Sequence, residues 1–148
     1  MKICIKTVLS LCFLAVLFFT ACKKDDVVTY ELTLKATKSS NGSSNFSEIK
    51  YMDENKSVQT VTNSTTDFST KFIISEGFPI SFSVKGSASG GSTTNLPTPT
   101  ISYLVEKVTN GTTRESLCNE LEASIKGANG SYSFEKVFTK TFISGGCK

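Results

Sequence analysis

Residues 28–36 read Val-Thr-Tyr-Glu-Leu-Thr-Leu-Lys-Ala. Val28, Tyr30, Leu32, Leu34 and Ala36 alternate with Thr29, Glu31, Thr33 and Lys35, the period-2 pattern of a strand with one face on a core and the other in water. The same phase returns near the other end of the chain. Tyr132, Phe134, Phe138 and Phe142 take one face, and Ser133, Glu135, Thr139 and Thr141 the other. Aromatic side chains in that register are expected to be core, a ligand-stacking platform being the lesser alternative.

Between these two segments the pattern repeats in short pieces separated by Ser, Thr, Asn and Gly. Ile49 and Tyr51 mark one strand, and the polar turn Asp53-Glu54-Asn55-Lys56 leads into another containing Val58. Phe68, Phe72 and Ile74 mark a fourth, whose broken alternation suggests a bulge. Phe78, Ile80, Phe82 and Val84 follow Glu76-Gly77, with Pro79 suited to the start of a strand because it cannot donate to a ladder. Residues 86–100, rich in Gly, Ser and Thr, are expected to form the longest loop. Ile101, Tyr103 and Val105 resume the alternation up to Asn110-Gly111, a strong turn signal.

The stretch after that turn carries helix features. Thr112 with Glu115 fits a capping box, Leu117, Leu121 and Ile125 recur every fourth residue, and Gly127 fits a terminator. A short helix near 113–126 is therefore expected, with a strand as the alternative. The fold class that results is mainly β: a small antiparallel, immunoglobulin-like β-sandwich of about seven strands, in one domain over 27–148.

The N-terminus is of a different kind. Lys2 and Lys6 precede an apolar run over 8–21, about 14 residues, short of the roughly 20 that a membrane-spanning helix needs and within the range of a secretory signal. The run ends in Phe19-Thr20-Ala21-Cys22, which resembles the lipobox of signal peptidase II substrates. That resemblance implies cleavage after residue 21, acylation of Cys22, and residues 22–26 as a tether to the membrane. The Cys-Lys-Lys-Asp-Asp start is similar to that of outer-membrane lipoproteins of one Gram-negative phylum, where acids after the cysteine act as an export signal; a plain soluble spacer is the alternative, and the membrane face stays open. Two or three acyl chains on one cysteine hold a protein stably where one does not.

Loss of residues 1–21 leaves 127 of the 148 residues, enough for one core, and lowers the net charge from +3 to +1. Neither that charge nor the single arginine, Arg114, suits nucleic acid or a bidentate anion clamp. Of five cysteines, Cys118 and Cys147 remain once Cys4, Cys12 and Cys22 are accounted for. In an oxidising compartment the pair is most simply a disulfide, two unpaired buried thiols being the alternative.

The strand order also resembles the immunoglobulin-like sandwich of the MmpS family of transport accessory proteins. It does so in residues 30–36, in Ile49-Lys50-Tyr51-Met52-Asp53, in Glu76-Gly77 ahead of 78–84, and in 101–111. Asn55 at a usual turn glycine, the lack of Trp and the lipid anchor are departures. The resemblance implies an envelope accessory or binding module and carries over no catalytic residue.

No histidine is present, which removes Ser-His and Cys-His activation and the commonest zinc ligand. No phosphate loop occurs, and no metal or cofactor is expected. The carboxylate pairs Asp53/Glu54 and Glu120/Glu122 keep a small hydrolase as an alternative function, with a protective or immunity lipoprotein as another. The expected function is a non-enzymatic, lipid-anchored outer-membrane module that binds a glycan or an envelope protein. Its binding loops are expected at the end far from the lipid, around 39–45, 63–67 and 86–100, with Asn41, Asn45, Asn63, Thr65 and Asn95 as the candidate contacts. The Asn-x-Ser/Thr triplets at Asn41, Asn63, Asn110 and Asn129 reflect loop composition.

Overall fold

The computed structural model describes residues 25–39, 42–90, 98–123 and 131–148. They form nine antiparallel strands: β1 (Val28–Thr37), β2 (Ser43–Met52), β3 (Val58–Ser64), β4 (Phe68–Ile74), β5 (Pro79–Ser89), β6 (Thr100–Thr109), β7 (Thr113–Ala123), β8 (Ser131–Ile143) and the two-residue β9 (Gly146–Cys147). Two sheets result, with orders β4-β1-β6-β7 and β3-β2-β5-β8-β9. The chain is a small β-sandwich. Beyond the seven strands expected, β7 and the short β9 are additional.

The core is what the alternation implies. Leu32, Leu34 and Ala36 of β1 meet Phe46 and Ile49 of β2, Ile80, Phe82 and Val84 of β5, Ile101 and Val105 of β6, and Phe142 of β8, each 0–1% exposed. Full burial of one such side chain is worth roughly 1.5–3 kcal/mol. Rings cross from sheet to sheet: Tyr30 on Phe142 at 4.9 Å and Tyr103 on Phe138 at 5.4 Å between centroids. Of the β8 aromatics, Phe138 and Phe142 are core and Phe134 packs against it, whereas Tyr132 is only half-buried, beside Phe134 at 6.2 Å. Gly86 lies on the inward face of β5, opposite both Phe46 and Phe134. A Cβ there would come within 2.6 Å of the Phe134 ring and 2.4 Å of the Asn45 carbonyl, so only glycine lets the two rings meet, 6.2 Å apart and edge to face.

Four expectations need correction. No helix occurs among the described residues, and 113–123 is the edge strand β7, in register with β6 along its whole length apart from one shift. The four-residue spacing was coincidental. Leu117 is the extra residue at the shift between Val105 and Glu106 and packs on the core, whereas Leu121 is 70% exposed; Ile125 lies outside the described residues. The inward positions of β7 are Cys118, Glu120 and Glu122, opposite Val105, Tyr103 and Ile101, so its core face carries little apolar signal.

The loop expected from residue 86 starts only after Ser89, because β5 stays hydrogen-bonded to β2 and β8 through that point. Paired neighbours on both sides override the weak strand preference of Gly and Ser. Likewise Ser43 to Asn45 belong to β2 and Asn63 to β3. The bulge suspected within 68–74 is absent, since β4 pairs regularly with β1. Its alternation looks broken because Thr70 takes an inward place and Ile73 points out, 61% exposed. Register shifts occur instead between Phe46 and Glu48 and between Val105 and Glu106.

The sandwich has two long sides. On one, β7 of the first sheet faces β8 and β9 of the second, with Cys118 and Cys147 across the gap, their Cα atoms 5.9 Å apart and within disulfide reach. Glu122 also pairs with Lys136 across this side. On the other, β3 and β4 are joined by three residues, and Phe68 packs on Tyr51 and Phe82 at 5.3 and 6.1 Å.

Candidate functional site

The strand directions sort the connections into two ends. Residues 25–27 lie at one end, tied to the β6–β7 turn. Asn110 donates its backbone N–H to the Val27 carbonyl (2.8 Å) and its side-chain amide to Asp26 (2.7 Å), and accepts from Val27 N–H (3.0 Å). Left-handed backbone at Asn110 and Gly111 (φ 53° and 74°) permits this tight reversal. Turns 53–57, 75–78 and 144–145 share this end, as their places between paired strands require.

The connections after β1, β3 and β5 share the opposite end. There Lys38 N–H donates to Asp67 (2.8 Å), its ammonium bonds the Thr65 carbonyl, and Ser64 donates to the Thr66 carbonyl (3.0 Å). Ser39 N–H donates to the buried Ser44 hydroxyl (3.3 Å), while Thr98 N–H donates to the Ser39 hydroxyl (2.9 Å). Thr65 is therefore at the expected end, with its carbonyl held. Asn63 closes β3 in left-handed backbone (φ 53°), so its conformational role competes with any binding one. Asn45 is an exposed strand residue of β2. Asn41, Asn95 and Cys22 lie outside the described residues.

A group that combines the candidate Asn45 with serines of three strands adjoins that end. On the outer face of the second sheet, Asn45, Ser87 and Ser133 stand side by side across β2, β5 and β8, and Ser43, Ser89 and Ser131 form the next row. All six are exposed. Strand spacing sets such side chains on a grid of roughly 4.8 Å across and 6.7 Å along. Small hydroxyls and one amide lose little rotamer entropy when they bond a partner. The sequence signal was Ser-x-Ser, at 87/89 and 131/133, which is indistinguishable from loop composition unless the neighbouring strands are known.

Next to the grid a hollow of about 420 Å³ is lined by Ser47, Lys85, Gly86, Ser133, Phe134 and Glu135. A charged row bounds it. Lys85 lies 3.3 Å from Glu135 and 3.6 Å from Glu48, which is 2.8 Å from Lys50. The hydrogen bond to Glu135 raises the Lys85 pKa, and the bond from Lys50 lowers that of Glu48. Both shifts favour the charged forms of Lys85 and Glu48.

The other outer face is more strongly charged. Glu31 and Glu106 are cross-strand neighbours, and Arg114 bonds both, at 2.5 and 3.0 Å, while Lys71 reaches Glu31 at 2.9 Å. Hydrogen bonds from Arg114 and then Lys71 bring the Glu31 pKa down from 4.5 to about 2. A general acid needs the reverse, a carboxyl held protonated.

The two carboxylate pairs noted in the sequence do not converge. Asp53 accepts from the N–H of Asn55 and Ser57 (both 2.9 Å) and from the Gln59 amide (2.6 Å); the Ser57 bond is the main reason that its pKa is lowered. It serves its own turn, and Glu54 beside it is exposed. Glu120 receives the Tyr103 hydroxyl at 3.4 Å, and Glu122 holds Lys136. Among the described residues no three His, Cys, Asp or Glu side chains are grouped to hold a metal. No protein-family model, curated protein or solved structure matches the chain.

Proposed function

We propose that the chain is a lipid-anchored, non-enzymatic binding or accessory module of the outer membrane, attached through Cys22, which meets a glycan or a polar envelope protein with the end of the sandwich far from the anchor. One observation carries this reading: residues 25–27 enter at one end, and the exposed grid of Ser43, Asn45, Ser87, Ser89, Ser131 and Ser133 adjoins the other. Between Cys22 and the first strand residue lie five positions, so the tether spans at most about 20 Å and keeps the near end against the headgroups. The far end then points outward. Binding residues held on rigid strands need no ordering when a partner arrives. The Cys118–Cys147 disulfide belongs to the same reading, since an oxidising envelope lets it form.

The test is a detergent pull-down from envelope extract together with a glycan array, comparing wild type with Asn45→Ala/Ser87→Ala/Ser133→Ala and with Cys22→Ala. The triple variant is expected to lose most binding while melting within a few degrees of wild type, because exposed strand positions rarely contribute more than about 0.5 kcal/mol each. Cys22→Ala is expected to leave the membrane fraction with binding intact. Full binding by the triple variant would refute the assignment of the grid.

A further inference from the structure

The outer face of the first sheet carries Arg114, Lys71 and Lys35, and only the first two are committed to acids. Both bond Glu31, and Arg114 also bonds Glu106. Lys35 is exposed, stands between Ser69 of β4 and Ser102 of β6 in register, and makes no side-chain hydrogen bond or ion pair among the described residues. In the next row Thr33 stands between Lys71 and Leu104. These six residues line a hollow of about 410 Å³, a volume typical of small-ligand sites. Thr33 is 9% exposed, yet its hydroxyl has no hydrogen-bond partner among the described residues. No described side-chain oxygen is both wholly enclosed and unpaired, so this hydroxyl opens into the hollow. A polar group shut off from most of the solvent gains when something seated there bonds it.

We infer that this hollow binds a sugar carboxylate. Lys35 pairs with the carboxylate, the hydroxyls of Thr33, Ser69 and Ser102 bond hydroxyls of the ring, and Leu104 meets an apolar face of it. The charge selects a monoanion. One uncommitted ammonium is present, and Glu106 lines the hollow on the side nearer residues 25–27, where it repels further negative charge. Phosphate or sulfate is better held by a bidentate arginine or a nest of free N–H groups. Arg114 is taken by its two acids, and the amides of the interior strands β1 and β6 are spent in ladders on both sides. Serine and threonine hydroxyls both donate and accept, which suits the hydroxyls of a sugar more than a bare acid. The hollow is on the opposite broad face from the serine grid. It is a second site and does not rest on the proposed function.

The test is a titration of the full chain in detergent with trigalacturonate, followed by amide chemical shifts, beside titrations with neutral trigalactose, acetate and inorganic phosphate. Trigalacturonate is expected to move the amides of residues 33–35, 69–71 and 102–104 first, and to bind about tenfold or more tightly than the neutral trimer, since a charged hydrogen bond is the difference between them. Lys35→Gln is expected to weaken binding by a similar factor, whereas Lys35→Arg keeps the charge and most of the affinity. Thr33→Val keeps the shape, removes the hydroxyl, and is expected to weaken binding about threefold to tenfold. Asn45→Ala/Ser87→Ala/Ser133→Ala is expected to bind as wild type does. Circular dichroism melts confirm that each variant is folded. No binding of trigalacturonate, equal affinity for the neutral trimer, displacement by acetate or phosphate at equal concentration, an unaffected Lys35→Gln variant, or loss in the grid variant would overturn the proposal.

Discussion

The two long sides of the sandwich hold the sheets together by different means. On the β7–β9 side the fastening is concentrated in Cys118 and Cys147 and in Glu122 with Lys136, groups at the margin of the core. On the β3–β4 side it is a three-residue connection and the rings of Tyr51, Phe68 and Phe82. A strand whose inward positions are Cys, Glu and Glu cannot adhere by apolar burial, so that side relies on a covalent tie and ion pairs. The ring-packed side has no such need, and its outermost strand β3 is left uncharged.

The largest difference between the sides is expected on reduction. Closing a loop of 29 residues between Cys118 and Cys147 limits the unfolded chain by about 3.5 kcal/mol in the chain-entropy account. Cys118→Ala/Cys147→Ala is expected to lose most of that in urea titration, with β7 and β9 amides exchanging first. Equal stability with and without reductant would mean that the cysteines carry no load.

On the other side Phe68→Ala is expected to cost about 2–3 kcal/mol, below the range for a fully buried ring because Phe68 is only half-buried. Combined with the cysteine double variant, the losses should add to within about 0.5 kcal/mol, since Phe68 on β4 and the cysteines on β7 and β9 lie on opposite long sides of the sandwich. A large coupling would show that the sides act as one unit.

The smallest effect concerns acid. Glu31 titrates near 2 when folded and near 4.5 otherwise, so its contribution is complete above about pH 4.5 and is lost as the pH falls toward 2. On a water-washed face this amounts to about 1 kcal/mol. Glu31→Gln is expected to flatten the stability curve across that window and leave it unchanged in shape above pH 5. An unaltered acid limb would mean that Arg114 does not hold Glu31 as the geometry implies.

How much could be read beforehand follows from the same contrast. β1, β5, β6 and β8 were legible because their inward residues alternate over a shared core. β7 was not, since at an edge the inward face meets water and can hold acids, and two leucines happened to fall four apart. Residues 86–89 read as loop because Gly, Ser and Ala carry no preference strong enough to reveal a strand that two neighbours impose. The cysteine pair was legible by elimination alone. The serine grid was not, because it exists only once β2, β5 and β8 are in register.

β1 is the first strand after the proposed anchor, and it is interior to its sheet, with residues 30–36 paired to β4 and residues 28–37 to β6. Force applied through a tether while the far end grips a partner therefore acts along the axis of β1. Both of its ladders must then shear as whole rows; they cannot unzip bond by bond. A pull that begins in the first sheet and ends at serines of the second passes through the ring contacts and Cys118–Cys147 on its way. Held as proposed, at the tether and at the serine grid, the molecule would take tension along its strands.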